Sequence, residues 1–119
     1  MKKLKVLTLG LAVFAMLAVA VPAFAHQSGT TVTVTAGKPS EFGFKLSTKT
    51  AKHGAVTFKV TNGGALPHDF SIAGKKTKLI SPGQSATLTV TLAKAGNYPY
   101  QCTVSGHAAA GMKGVFKAT

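Results

Sequence analysis

From residue 26 onward, apolar and polar residues alternate along the chain with a period of two. The two longest examples are residues 56–60 and 88–92, in which Val, Phe or Leu alternates with Thr or Lys. This alternation is typical of strands with one buried face and one solvent-exposed face. Shorter segments of the same kind lie at residues 32–34, 42–46, 70–72 and 115–116.

Turn-forming residues separate these segments. Clusters containing Gly, Pro or Asn lie at residues 37–39, 62–64, 73–74, 81–83 and 95–97. Glycine and proline at regular intervals between short alternating segments indicate strands that reverse direction repeatedly. The pattern predicts an all-β fold, a Greek-key antiparallel β-sandwich of seven or eight strands, with no helix.

One of the predicted strands contains a proline, Pro99, which has no N–H to donate to a sheet. It therefore belongs at a sheet edge, a strand start or a bulge. Alternation places Tyr98, Tyr100 and Cys102 on one face of this strand, and Pro99 and Gln101 on the other.

The first 25 residues have a composition of their own. Three lysines, Lys2, Lys3 and Lys5, precede an uncharged apolar run over residues 6–21, and Ala23-Phe24-Ala25 follows as a small-x-small site. This order predicts a secretory signal peptide over residues 1–25 and one exported domain, periplasmic or extracytoplasmic, over residues 26–119. Residues 6–25 are also long enough to span a bilayer, so an uncleaved leader would anchor the domain to the membrane.

Cysteine usage narrows the class of protein. The chain has one cysteine, Cys102, so no disulfide can form within it. Disulfide scaffolds, zinc ribbons and haem sites of the Cys-x-x-Cys-His type are excluded. A free thiol in an oxidising compartment is chemically vulnerable, and ligation to a metal would protect it.

Four residues form a candidate metal site: His68, Cys102, His107 and Met112. The last three follow the spacing Cys-x4-His-x4-Met within eleven residues, so one loop between two strands can direct all three side chains to one point. Zinc sites seldom include Met, and calcium and magnesium require oxygen ligands, whereas two His, one Cys and a weak axial Met are typical of electron-transfer copper sites. The alternative is that Cys102 and Met112 only pack in the core.

Residues 96–114, with Cys102, Gly106-His107 and Gly111-Met112, resemble the copper loop of the cupredoxin family, which includes plastocyanin, azurin and halocyanin. Residues 62–70, with Pro67-His68-Asp69, resemble the upstream ligand region of that family. The resemblance implies one type 1 copper ion that cycles between Cu+ and Cu2+. It also implies that His68, Cys102 and His107 are equatorial ligands and Met112 is the axial ligand. The loop between Cys102 and His107 differs in length from that of plastocyanin.

The resemblance also implies a role for Asp69, whose side chain would hold the copper loop by hydrogen bonding to Thr103. Otherwise Asp69 is a solvated loop carboxylate. His53 lies in a polar turn and is expected to be a solvent-exposed histidine. His26 would become the first residue after cleavage, where its amine and imidazole could chelate copper, but this arrangement needs a second His and only His53 remains.

The leading functional hypothesis is an exported one-electron carrier without enzymatic activity. The alternative is a periplasmic copper chaperone or buffer, although such proteins favour exposed Met-rich or His-rich sites, and Met112 is the only Met outside the leader. Multicopper oxidases and copper nitrite reductases need more histidines than the four present.

The charge balance predicts the kind of partner. Of 14 lysines, three lie in the leader, so 11 remain against two acids, a formal charge of +9. Export and the absence of arginine argue against nucleic acid. An acidic redox protein or an anionic membrane surface is expected to be the partner of a monomeric domain, with docking near an apolar patch of Leu66, Pro67 and residues 108–110. The alternative is that the lysines only keep the surface soluble.

Overall fold

The computed structural model describes residues 2–3, 10, 12–20 and 29–119. The predicted cleavage region at residues 21–25 and His26 lie outside the described residues. Within residues 29–119 the chain forms nine strands and no helix. None of the described segments forms a helix long and apolar enough to cross a membrane. The strands are β1 (Thr30–Ala36), β2 (Phe44–Leu46), β3 (Thr50–Ala51), β4 (Gly54–Asn62), β5 (Ser71–Ile72), β6 (Lys75–Lys76), β7 (Ser85–Leu92), β8 (Gly96–Gln101) and β9 (Lys113–Ala118).

The strands form two sheets. The four-stranded sheet has the order β2-β1-β4-β7, and the five-stranded sheet has the order β3-β9-β8-β5-β6. The predicted all-β sandwich is confirmed. The antiparallel pattern is interrupted by two parallel pairs, β1 with β4 and β3 with β9, so both sheets are mixed.

The core lies between the two sheets and follows the predicted alternation. In β1, β4 and β7 the buried residues occupy alternate positions, while the residues between them are mostly Thr and are exposed or half-buried. Aromatic rings fill the centre: Phe58 of β4 lies 5.1 Å from Phe70 and 5.3 Å from Phe116 of β9, measured between ring centroids. Large buried side chains exclude water from the core and supply most of the stabilisation in a domain of this size.

Pro99 lies where its missing N–H costs no sheet hydrogen bond. It pairs with Val115 of β9, while β5 pairs only with Tyr100 and Gln101. On the β5 side, Pro99 is therefore at a free edge, as predicted. The predicted alternation is also confirmed, since Tyr100 and Cys102 are buried while Pro99 and Gln101 are exposed.

One strand is shorter than the alternation of Phe42, Phe44 and Leu46 predicts. Strand β2 begins at Phe44, and Phe42 lies in the turn before it. The turn closes through hydrogen bonds from the Gly43 N–H to the Ser40 carbonyl (3.1 Å) and from the Gly37 N–H to the Gly43 carbonyl (2.9 Å). We call residues 37–43 the β1–β2 loop. It leaves Phe42 outside the core, 37% exposed.

Candidate metal centre

Three of the four predicted ligands meet at one end of the sandwich. The Nδ1 atoms of His68 and His107 lie 3.1 Å apart. The Cys102 Sγ atom lies 4.0 Å from the first and 3.6 Å from the second. In the part of the chain that the structure describes, these residues form the one group of three or more His, Cys, Asp or Glu side chains whose donor atoms converge.

Hydrogen bonds hold both the backbone of His68 and the loop that precedes it. It forms an isolated bridge with Ile80, in which each N–H donates to the other residue's carbonyl, at 3.1 and 2.7 Å. The preceding loop is fixed by Asn62, which is 1% exposed and donates to the carbonyls of Leu66 and Ile80, both at 2.8 Å. A buried amide with both hydrogens used orders the chain leading to His68. Sequence reasoning placed Asn62 in a turn and did not assign it this role.

The segment from Cys102 to Met112 is a compact turn. The Cys102 N–H donates to the Met112 carbonyl and the Met112 N–H donates to the His107 carbonyl, both at 3.0 Å. Gly106 and Gly111 adopt φ angles of 81° and 113°, which side chains disfavour. The turn therefore brings Cys102 and His107 to the same point with few residues between them.

Met112 is fully buried, and its backbone hydrogen bonds join it to Cys102 and His107. Its position in the turn is consistent with an axial contact, which stays a prediction.

Asp69 makes the contact that the resemblance implied. Its Oδ1 accepts a hydrogen bond from the Thr103 N–H at 2.6 Å, and its Oδ2 accepts one from the Thr103 hydroxyl. Asp69 is only 5% exposed, so it is not a solvated loop carboxylate. Asp69, which follows His68, thus fixes Thr103, which follows Cys102.

Glu41, which sequence reasoning did not assign to the site, also contacts it. Its Oε1 lies 2.7 Å from the His68 Nε2. The carboxylate also accepts hydrogen bonds from the N–H groups of Ala65 and Leu66, both at 2.9 Å. These backbone donors, followed by His68, lower the pKa of Glu41 from 4.5 to about 2. The sequence offered one indication of this role: Glu41 and Asp69 are the only two acidic residues in the chain.

Burial differs among the three convergent residues. His68 and Cys102 have no exposed surface, while His107 keeps 9%. Burial raises the pKa of the Cys102 thiol, so the isolated protein favours its protonated form. The ring of Phe42 packs edge-on against His107 with 5.1 Å between centroids. His107 is thus the convergent residue nearest to solvent, although Phe42 covers part of it.

His53 lies apart from the cluster. It is exposed, as expected, and its Nδ1 lies 2.8 Å from the Thr119 carbonyl.

A small mixed β-sandwich with two histidines and one cysteine converging at one end defines a class of metal-binding domain. Residues 8–114 match the family model described as a cupredoxin-like domain. The chain therefore belongs to the cupredoxin-like family. A comparison with curated protein sequences found no match.

Solved structures with the same fold include three auracyanins. Auracyanin B is 21% identical, with a TM-score of 0.62 over 76% of this chain and 88% of the other. Auracyanin A, a "blue" copper protein from the green thermophilic photosynthetic bacterium Chloroflexus aurantiacus, is 20% identical, with a TM-score of 0.62 over 76% and 99%. The dithionite-reduced auracyanin of the photosynthetic bacterium Roseiflexus castenholzii is 26% identical, with a TM-score of 0.58 over 76% and 98%.

The Asp69–Thr103 contact can be tested without any metal. Asp69→Ala removes both acceptors, so we expect the free energy of unfolding to fall by about 1–3 kcal/mol and the Thr103 amide to exchange faster with solvent. Thr103→Val removes only the hydroxyl donor and should leave the amide protected. Urea unfolding and hydrogen exchange measure the two effects. Unchanged protection of the Thr103 amide in Asp69→Ala would contradict the role given to Asp69.

Proposed function

We propose that this protein is an exported type 1 copper protein that carries single electrons between redox partners, and that it is not an enzyme. His68, Cys102 and His107 would be the strong ligands of the ion, and Met112 would be a weaker fourth ligand. Copper would supply a one-electron couple, with which the protein could accept an electron from a reduced partner and pass it to an oxidised one. The observation that carries the proposal is the convergence of the three donor atoms within 4.0 Å of one another.

The spacing of these donors favours a shared cation. The three distances of 3.1, 3.6 and 4.0 Å leave a point about 2 Å from each donor atom, close to the usual length of metal–nitrogen and metal–sulfur bonds. Lone pairs this close repel unless a proton or a metal ion lies between them. Soft sulfur with two imidazoles suits copper, and Met112 beside them favours copper over zinc.

Burial supports electron transfer over copper delivery. A chaperone or buffer must expose its ligands so that a partner can remove the ion, whereas His68 and Cys102 are fully buried here. Hydrogen bonds to Asp69 and Glu41 fix the surrounding chain. A rigid set of ligands lets the oxidation state change with little movement of the protein.

The surface above His107 supports an exit route for the electron. Phe42 is 37% exposed and Leu66 is 42% exposed. Ala109 and Ala110, which follow His107 closely in sequence, are also exposed. Small apolar surfaces suit the brief contacts of electron-transfer complexes. We therefore infer docking at the predicted apolar patch of Leu66, Pro67 and residues 108–110, and add Phe42 to it because its ring packs against His107.

The arrangement of charge supports an anionic partner. All 11 lysines of residues 29–119 are exposed. In the same range both carboxylates are committed to internal hydrogen bonds, Glu41 with His68 and Asp69 with Thr103. The described surface is therefore strongly positive, which would steer acidic redox proteins toward it. An anionic membrane surface is the other partner that this charge would attract, and the leader supports an extracytoplasmic location.

The colour of the oxidised protein tests the copper site. With one equivalent of Cu2+, the wild-type domain should absorb strongly in the visible range, because charge transfer from the Cys102 thiolate requires a short bond to copper. Cys102→Ser should abolish this absorption. The exposed Ser105→Ala serves as a control in the same loop and should keep the colour. A wild-type protein that binds copper and stays colourless would refute the type 1 assignment.

The role of Met112 is tested by the reduction potential. Met112→Leu should retain copper and the visible colour, because three ligands remain, but its potential should differ from that of the wild type. Voltammetry measures the potential, and elemental analysis measures the copper content. Loss of all copper in Met112→Leu would show that Met112 is not merely an axial ligand.

Salt dependence tests steering and docking separately. The bimolecular electron-transfer rate with an acidic partner should fall as salt rises, because the screening length shortens from about 30 Å at 0.01 M to about 10 Å at 0.1 M. Ala109→Glu should slow transfer further at each salt concentration while leaving the visible spectrum unchanged.

Ala95→Glu is the matched control for Ala109→Glu. It adds the same charge before β8, at the end of that strand opposite Cys102, so it should slow transfer less. An electron-transfer rate that does not change with salt concentration would refute electrostatic steering by the lysines. Equal electron-transfer rates in Ala95→Glu and Ala109→Glu would show that the electron does not leave near His107.

A further inference from the structure

The β1–β2 loop places two consecutive side chains against the two histidines of the metal centre. The Glu41 Oε1 lies 2.7 Å from the His68 Nε2, and the Phe42 ring lies edge-on to His107. The loop belongs to neither ligand-bearing segment. It therefore supports both imidazoles from a third part of the chain.

The Glu41 contact determines which nitrogen of His68 carries the proton. The carboxylate already accepts hydrogen bonds from the N–H groups of Ala65 and Leu66, so it is an acceptor at this site. A hydrogen bond to His68 then requires a proton on Nε2. Nδ1 is then the unprotonated nitrogen, and it faces Cys102 and His107.

We propose that Glu41 is a positioning residue for His68: it holds the ring with Nδ1 directed at the copper ion and favours the oxidised state. This inference rests on the proposed copper site. The oxidised centre carries one more positive charge than the reduced centre, so a carboxylate hydrogen-bonded to a ligand stabilises it more. Glu41 should therefore lower the reduction potential.

The surroundings of Glu41 are shaped to keep its carboxylate in this position. A Cβ atom at Gly64 would lie 2.6 Å from the Glu41 Oε1, and one at Gly37 would lie 2.5 Å from the Gly64 Cα. The two glycines allow the β1–β2 loop to approach the loop before His68. Gly64→Ala would displace the carboxylate from its contacts without removing its charge.

The first experiment uses the metal-free protein, so its result does not depend on copper. Nitrogen-15 NMR of the imidazole rings should show His68 as the Nε2–H tautomer. The Nε2 proton should exchange with solvent about tenfold faster or more in Glu41→Ala, because a hydrogen bond to a charged group is lost, and faster also in Gly64→Ala. The exposed His53 is the internal control. An unchanged His68 tautomer and exchange rate in both variants would overturn the positioning role.

The second experiment measures the reduction potential of the copper-loaded protein. Glu41→Gln removes the charge but keeps an oxygen that can accept the hydrogen bond. Its potential should rise by about 59 mV for each tenfold loss in preference for Cu2+ over Cu+. Mutation of a residue that supports a metal ligand typically costs about 10- to 100-fold in metal affinity.

Thr31→Lys is the matched control for net charge. Like Glu41→Gln, it changes the charge by +1, but it does so at an exposed position at the end of β1 remote from the β1–β2 loop. It should therefore shift the reduction potential much less than Glu41→Gln does. Equal shifts in Glu41→Gln and Thr31→Lys would overturn the claim that contact with His68 favours the oxidised state. A wild type that binds no copper would refute the proposed function, while the tautomer measurement would still decide the positioning role.

Discussion

Three buried donor atoms from two distant parts of the chain must be held within 4.0 Å of one another, and the rest of the structure depends on this constraint. When no ion is bound, the two imidazoles and the thiol can share only a few hydrogen bonds among their donor atoms. The surrounding hydrogen bonds must therefore supply the order: the His68–Ile80 bridge on one side and the Cys102–Met112 turn on the other. The Asp69–Thr103 contact joins the two sides. Such preformed order limits how far the ligands move when the charge of an ion between them changes.

The features predicted from the sequence are those encoded locally. Alternation identified the buried residues of β4 and β7 because strand periodicity repeats every two residues. The spacing from Cys102 to Met112 identified a loop because all three side chains lie within eleven residues. The role of Asp69 was implied by the resemblance to the cupredoxin family, and the residue after one proposed ligand does contact the residue after another.

The features that sequence reasoning missed depend on distant contacts. Alternation gives the faces of a strand but not its neighbours, so the parallel pairing of β1 with β4 had no local signal. Phe42 continues the alternation of Phe44 and Leu46, yet the hydrogen-bonded turn at Gly43 takes it out of the strand. Glu41 lies 27 residues before His68, in a turn whose sequence gives no indication of a partner. In each case two segments meet through tertiary packing alone.

The same contacts explain how the domain separates its charges. A chain with two acids and many lysines has little capacity for surface ion pairs, and both acids are used beside the metal centre. A carboxylate near a cationic centre offsets its charge locally, whereas the exposed lysines act over the longer distances at which partners approach. Negative charge is thus concentrated near the proposed ligands and positive charge is spread over the exterior. Under the proposed function, the exposed lysines would attract a negatively charged partner. Its closest contact would then be the apolar patch beside His107, the convergent residue that keeps the most exposed surface.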